Sequence, residues 1–144
     1  MVEARVPPPE LIVENGIGVA DFERIAQEFV QMGNGITGNM INMGLIKPEY
    51  SVLDVGCGLG RLARPLVDFL TGDYNGIDIV ETSVAWCREA YSDLPNFHFH
   101  HADIFSNTYN TTATTEADQF TFPIADETID FVWSTSLFLS LIHI

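Results

Sequence analysis

The sequence predicts an α/β fold in which a parallel sheet is built from alternating strands and helices. Short apolar segments bounded by turn residues recur along residues 52–134, and segments with helical spacing of apolar residues separate the first three of them. Strands that alternate with helices pair in parallel, with right-handed crossovers. The chain has 144 residues, of which 47% are apolar and 18% are charged, and this is the composition of one packed domain.

A helical segment is predicted before the sheet. The prolines at 7–9 favour extended chain, and residues 20–32 place apolar side chains at helical spacing, which predicts an amphipathic helix. Residues 33–46 mix glycines with apolar side chains and predict a short, loosely built helix. We expect it to pack on the sheet domain, and the alternative of a flexible lid over a ligand stays open. The chain therefore divides into a helical cap, residues 1–47, and a sheet domain, residues 48–144.

Four strands and two helices are predicted in the sheet domain. The strands are residues 52–55, 74–79, 97–101 and 129–134. Apolar residues at helical spacing predict helices over residues 62–70 and 83–91. We expect the first of these helices to tolerate Pro65, because that proline falls near its first turn. Residues 108–119 form a polar loop between the third and fourth strands.

The charge of the chain argues against a nucleic acid partner. Six basic and twenty acidic side chains give a net charge of −14, which repels a polyphosphate backbone. No apolar run approaches the roughly 18 residues that span a bilayer, and the N-terminus lacks the apolar core of a secretory signal. We therefore expect a cytoplasmic protein without a membrane partner. Cys57 and Cys87 are too few for a disulfide framework, and no His and Cys residues stand at zinc-ligand spacing, so we expect no metal.

Candidate ligand-binding residues follow the first three predicted strands. Gly56, Gly58 and Gly60 come after strand one, where the lack of a Cβ lets the chain turn tightly and lets a ligand approach the backbone. Asp78 closes strand two, 18 residues after Gly60, near the spacing at which a carboxylate binds ribose hydroxyls. Asp103 closes strand three. Because α/β sheets bind ligands beyond the carboxyl ends of their strands, these turns predict a site for an adenosine group.

Asp54 discriminates between nucleotide ligands. Dinucleotide folds use the pattern G-x-G-x-x-G, whereas residues 56–60 read G-C-G-L-G and are preceded by Asp54. A semi-buried carboxylate beside the glycine turn opposes a pyrophosphate and favours a ligand that carries an ammonium and a sulfonium group. A positively charged nucleoside is therefore favoured over a dinucleotide.

Four segments resemble, in order, the motifs of class I S-adenosylmethionine-dependent methyltransferases. VLDVGCGLGR is similar to motif I, YNGIDIV to the acidic second-strand motif, HHADIF to the third-strand motif, and FPIADETIDFVWSTS to the segment that leads into strand four. The resemblance spans residues 48–137. It implies a Rossmann-like three-layer α/β/α fold, S-adenosylmethionine as the cofactor, and a methyltransferase activity. Because the family's sheet has seven strands, it also implies an N-terminal fragment that binds cofactor weakly and is inactive alone.

The resemblance implies roles for individual residues at both ends of the cofactor. The methionyl end is assigned to Asp54, Gly56, Cys57, Gly58, Gly60 and Ser134. At the adenosine end, Asp78 would bind the ribose hydroxyls and Asp103 the adenine amino group, with Ile79 and Ile104 beside the adenine. The sequence assigns no catalytic base.

Two other functions stay open. Half of an NAD-dependent oxidoreductase would share the glycine turn and the ribose acid, but Asp54 and the glycine spacing disfavour it. A non-catalytic nucleotide-binding module would keep the fold without the chemistry. The methyl acceptor is unidentified, and the acidic composition favours a small molecule or a protein over a nucleic acid. The sequence does not predict the oligomeric state.

Overall fold

The computed structural model describes residues 5–14 and 22–135. Three α-helices and four β-strands occur in these ranges. They are α1 (Pro9–Glu14), α2 (Phe22–Asn42), β1 (Val52–Val55), β2 (Tyr74–Asp78), α3 (Glu81–Ala90), β3 (Phe97–His101) and β4 (Phe131–Trp133). No helix of this part of the chain is both long and apolar enough to cross a membrane.

The four strands form one parallel sheet in the order β3-β2-β1-β4. The strand order reverses at β1, which lies between β2 and β4, and α/β sheets bind ligands at such a reversal. The register places Asp54 of β1 between Gly76 and Trp133 on its two neighbours. It also pairs Asp78 at the end of β2 with His101 at the end of β3. The predicted parallel α/β fold is confirmed.

The main core lies on one face of the sheet, under α2 and α3. Four aromatic rings from β2, β3 and the end of α3 pack there with centroids 5.0 to 5.7 Å apart, namely Tyr74, Tyr91, Phe97 and Phe99. On the other face, Leu53, Ile77 and Ala102 are covered by apolar side chains from residues 120–129. Both crossovers from β1 through β3 run over the first face, as right-handed connections require.

The N-terminal segment is more helical than its sequence predicts. α1 begins at Pro9, where extended chain was expected, because a proline at the first helical position has a suitable φ and no needed N–H to lose. α2 is one continuous helix of 21 residues rather than two. Its residues Ile25, Phe29, Gly33 and Thr37 are buried at intervals of four and form one packed stripe. This burial supports the packing interpretation of the segment over the lid.

The helix predicted over residues 62–70 is wrong. The chain forms consecutive turns there, with a 3₁₀ turn at Arg64–Leu66. Leu66 and Val67 donate their N–H groups three residues back, to Ala63 and Arg64. An α-helix would need the N–H of residue 65 to bond to the Arg61 carbonyl, and Pro65 has no N–H. The proline therefore stands too far into the segment for the helix to survive it.

Candidate functional site

The glycine turn, residues 56–60, leads from the end of β1 across the end of β2. Gly56, Gly58 and Gly60 have φ angles of 83°, 52° and 72°, in the left-handed region that glycine adopts without strain. The N–H groups of Gly56 and Cys57 both donate to the Ile77 carbonyl, at 2.8 and 3.0 Å. The turn is therefore fastened to β2 and holds a defined shape.

The glycines at 58 and 60 serve different purposes. A Cβ placed on Gly58 would meet no atom of the described chain within 4 Å, so the backbone there is open to a ligand. A Cβ on Gly60 would lie 3.2 Å from the Tyr91 hydroxyl, which donates a hydrogen bond to the Gly60 carbonyl. Gly60 is therefore needed for packing, while Gly58 leaves space at the edge of the site.

Asp78, which the sequence predicts to bind ribose, is hydrogen-bonded to the glycine turn. Its Oδ2 accepts a hydrogen bond from the Gly58 N–H at 2.7 Å, and its Oδ1 accepts one from the Val80 N–H at 2.8 Å. The carboxylate is only half-buried, and its two oxygens offer about four lone-pair positions, so it retains capacity for ligand hydroxyls. Gly58 and Asp78, which are 20 residues apart in the sequence, are therefore in direct contact.

Asp54 lies beneath the glycine turn and is 1% exposed. Tyr74 donates its hydroxyl to Oδ2 at 2.6 Å, whereas Oδ1 accepts no hydrogen bond from the described residues. Burial raises the pKa of Asp54 to about 7, and the Tyr74 hydrogen bond offsets only part of that increase. The Trp133 indole also favours the carboxylate, although its Nε1 does not reach hydrogen-bond geometry. Because the side chain is closed off from solvent, we expect Asp54 to influence a ligand mainly through its charge.

The Cys57 side chain points into the core. Its Sγ lies in the core, 2.9 Å from where Gly76 would carry a Cβ, and the thiol is 5% exposed. Burial raises the pKa of this thiol well above its usual value, which keeps it neutral. Only the backbone of Cys57 is therefore free to contribute to a ligand site.

Asp103 and Ile104 lie beyond β3, on the same edge of the sheet. Asp103 is exposed, and its Oδ1 accepts a hydrogen bond from Asn110 at 2.9 Å. Ile104 is half-buried against the apolar cluster that contains Leu53 and Ile77. His101 Nε2 lies 3.1 Å from the carbonyl oxygen of Ile79, which puts a polar ring beside the predicted adenine position. The sequence did not predict this contact.

Ser134 follows β4, next to Trp133. Its Oγ is buried and, within residues 5–14 and 22–135, has no hydrogen-bond partner. Asp54 Oδ1, on the neighbouring strand β1, is also buried and has no hydrogen-bond partner among these residues. Buried polar atoms without partners are costly, so a polar group or a water near the ends of β1 and β4 would complete them. These two atoms lie where the predicted site would place the polar end of a ligand.

Sequence reasoning missed three residues that support the glycine turn. Tyr74 holds Asp54, while Cys87 and Tyr91 contact the carbonyls of Gly58 and Gly60 at 3.5 and 3.2 Å. A signal for Tyr74 was present, because strand periodicity places residues 74, 76 and 78 on one face of β2. For Cys87 and Tyr91 the sequence has no comparable signal, since their contacts depend on how α3 docks.

Other features of the described chain do not point to a second site. A shallow cavity of about 400 Å³ lies at the outer edge of β3, lined by residues that include Arg88, Tyr91 and His98. β3 is separated from β1, which leads into the glycine turn, by β2. Among residues 5–14 and 22–135, no group of three or more His, Cys, Asp and Glu side chains could hold a metal ion.

The sequence and the fold were compared with known proteins. The sequence model of a family described as a methyltransferase domain matches residues 52–143. Among solved structures, the YcgJ protein of Bacillus subtilis is 19% identical, with a TM-score of 0.51 over 70% of this chain and 37% of that one. A putative sarcosine dimethylglycine methyltransferase from Galdieria sulphuraria is 16% identical, with a TM-score of 0.53 over 79% and 37%. At these identities the likeness concerns the fold, and the chain spans 37% of the length of each.

Proposed function

The chain belongs to the methyltransferase domain family, and on that premise we propose that it binds S-adenosylmethionine for methyl transfer to a small-molecule acceptor. The bound cofactor supplies an electrophilic methyl group on a sulfonium centre. The observation that carries the proposal is the 2.7 Å hydrogen bond between Gly58 N–H and Asp78. It unites the open edge of the glycine turn with the carboxylate expected to bind ribose, at the reversal point of the sheet.

In this proposal the residues of the chain bind and orient the cofactor. Asp78 binds the ribose of the adenosine end. The open backbone at Gly58 borders the methionyl end, and Asp54 places negative charge beneath it. That charge favours a sulfonium and opposes a pyrophosphate. Orientation alone supplies effective molarities of about 10⁵ to 10⁸ M in well-placed reactions, so the mechanism needs no assigned base.

A small molecule is the proposed acceptor class. The net charge of −14 disfavours nucleic acids. The identity of the acceptor atom and the cytoplasmic location stay predictions.

Calorimetric titration with S-adenosylhomocysteine, NAD and ATP in parallel tests the cofactor. We expect heat of binding with S-adenosylhomocysteine alone, because Asp54 and Asp78 leave no favourable seat for a di- or triphosphate. Binding of NAD in place of S-adenosylhomocysteine would assign the site to the oxidoreductase alternative. Binding of ATP alone would support the non-catalytic module.

Gly58→Ala is expected to weaken S-adenosylhomocysteine binding by about tenfold or more, which corresponds to about 1.4 kcal/mol. The new methyl group would occupy the open backbone edge. Gly44→Ala is a matched control, because Gly44 also has a positive φ, 70° against 52°, and also has no described atom within 4 Å of a Cβ. Both variants should lose about 1 to 2 kcal/mol of stability through backbone strain. Equal affinities in the two variants would show that the edge at Gly58 is not a ligand contact.

A further inference from the structure

Tyr74 is locked against the carboxyl group of Asp54. Its side chain is completely buried at the start of β2, and its ring stacks on Phe97 at 5.1 Å and packs against Phe99 at 5.6 Å. The hydroxyl donates to Asp54 Oδ2 at 2.6 Å. Since the ring cannot swing away without opening the core, the hydroxyl stays on Oδ2 and fixes the orientation of the carboxyl group.

The other groups around Asp54 act on its charge in opposite directions. Trp133 of β4 and Arg61 after the glycine turn favour the charged carboxylate, and Asp78 of β2 opposes it. The thiols of Cys57 and Cys87 also face this carboxylate, and burial keeps both neutral. Against the cost of burial, the Tyr74 hydroxyl is the largest contribution in favour of the charge.

We propose that Tyr74 is a positioning residue whose hydroxyl orients Asp54 and favours its charged form beneath the cofactor site. This inference rests on the proposed function, because the charge matters to a ligand that carries a sulfonium and an ammonium group. Loss of the hydroxyl leaves Oδ2 without a donor in a buried site, so the carboxyl group retains its proton to higher pH. The cation of the cofactor then meets a neutral group at pH 7.

Tyr74→Phe tests this, because it removes the hydroxyl and keeps the ring in the core. The carboxyl ¹³C resonance of Asp54, assigned with Asp54→Asn, is expected to titrate in the wild-type chain near pH 7. In Tyr74→Phe the midpoint should rise by about one to two pH units, the size of a hydrogen bond to a charged group. Tyr91→Phe is the matched control, because the Tyr91 hydroxyl donates to the Gly60 carbonyl and not to Asp54. In this variant the Asp54 midpoint should stay at the wild-type value.

Two further measurements distinguish a failure of this inference from a failure of the proposed function. Without any variant, the Tyr74 ring resonance in the wild-type chain should move with the Asp54 midpoint. In the wild-type chain, the affinity for S-adenosylmethionine should fall as the pH drops through that midpoint. In Tyr74→Phe the same fall in affinity should occur at a higher pH. An unchanged midpoint in a folded Tyr74→Phe overturns the inference and leaves the proposed function standing. A wild-type chain that binds no S-adenosylmethionine at any pH overturns the proposed function, and the resonance titration still decides whether Tyr74 controls Asp54.

Discussion

Asp54→Asn is expected to increase the free energy of unfolding above pH 7 and to weaken the binding of S-adenosylmethionine. The pKa of Asp54 is about 7 in the folded chain, against a reference value of 3.8. Between these values the folded state holds a proton that the unfolded state has released. Stability therefore falls as the pH rises from about 4 to about 7, and the loss is complete above that window.

The size of the effect follows from the same difference. A shift of about three units corresponds to about 4 kcal/mol, and asparagine has no charge to desolvate. The asparagine amide N–H would be unpaired near Trp133, and this would cost about 1 to 3 kcal/mol and offset part of that gain. We expect a net increase of about 1 to 3 kcal/mol at pH 8. Near pH 4 the charge no longer costs stability and only the amide penalty remains, so the variant should be about 1 to 3 kcal/mol less stable than the wild type there.

Urea unfolding of the wild type and of Asp54→Asn at pH 4.5, 6 and 8 measures this difference in the free energy of unfolding. Asp68→Asn serves as the control, because its carboxylate is exposed and its removal should leave the pH dependence of the wild type intact. An Asp54→Asn chain that is less stable than the wild type at pH 8 would show that the buried charge is not a cost to folding. Weaker cofactor binding in a more stable variant is the expected trade between activity and stability.

Gly33→Ala is expected to destabilise the chain by about 1 to 3 kcal/mol, the usual cost of overpacking. A Cβ on Gly33 would overlap the Arg61 carbonyl oxygen, which is a backbone atom and cannot rotate away. α2 would have to move off the segment after the glycine turn, and the buried stripe of Ile25, Phe29 and Thr37 would open.

Gly35→Ala on the same helix is the matched control. In the described chain, nothing lies within 4 Å of a Cβ at Gly35. Alanine has a higher helix propensity than glycine by about 1 kcal/mol, so this variant should be more stable than the wild type. Thermal unfolding of both variants measures the contrast. If both are stabilised alike, α2 does not depend on close contact at Gly33.

The local pattern predicted the strands and the edge of the sheet at which the candidate site lies. β1 and β3 have the predicted bounds, and β2 and β4 lie within theirs. Strand periodicity and turn residues act over a few neighbours, so a sequence reports them directly. The helices were predicted less well. The glycines of α2 were judged by propensity, whereas packing keeps that helix continuous, and the missing N–H of Pro65 was judged harmless, whereas it prevents the helix over residues 62–70.

The sequence by itself determined which residues stand at the carboxyl ends of the strands, including Asp54, Asp78 and the glycine turn. Only the tertiary structure decided that Asp78 binds Gly58, that Tyr74 binds Asp54, and that the Asp54 carboxylate is closed off from solvent. The physical reason is that alternation and turns depend on adjacent residues. Burial, hydrogen-bond partners and the resulting pKa depend on groups that are brought together from different strands and helices.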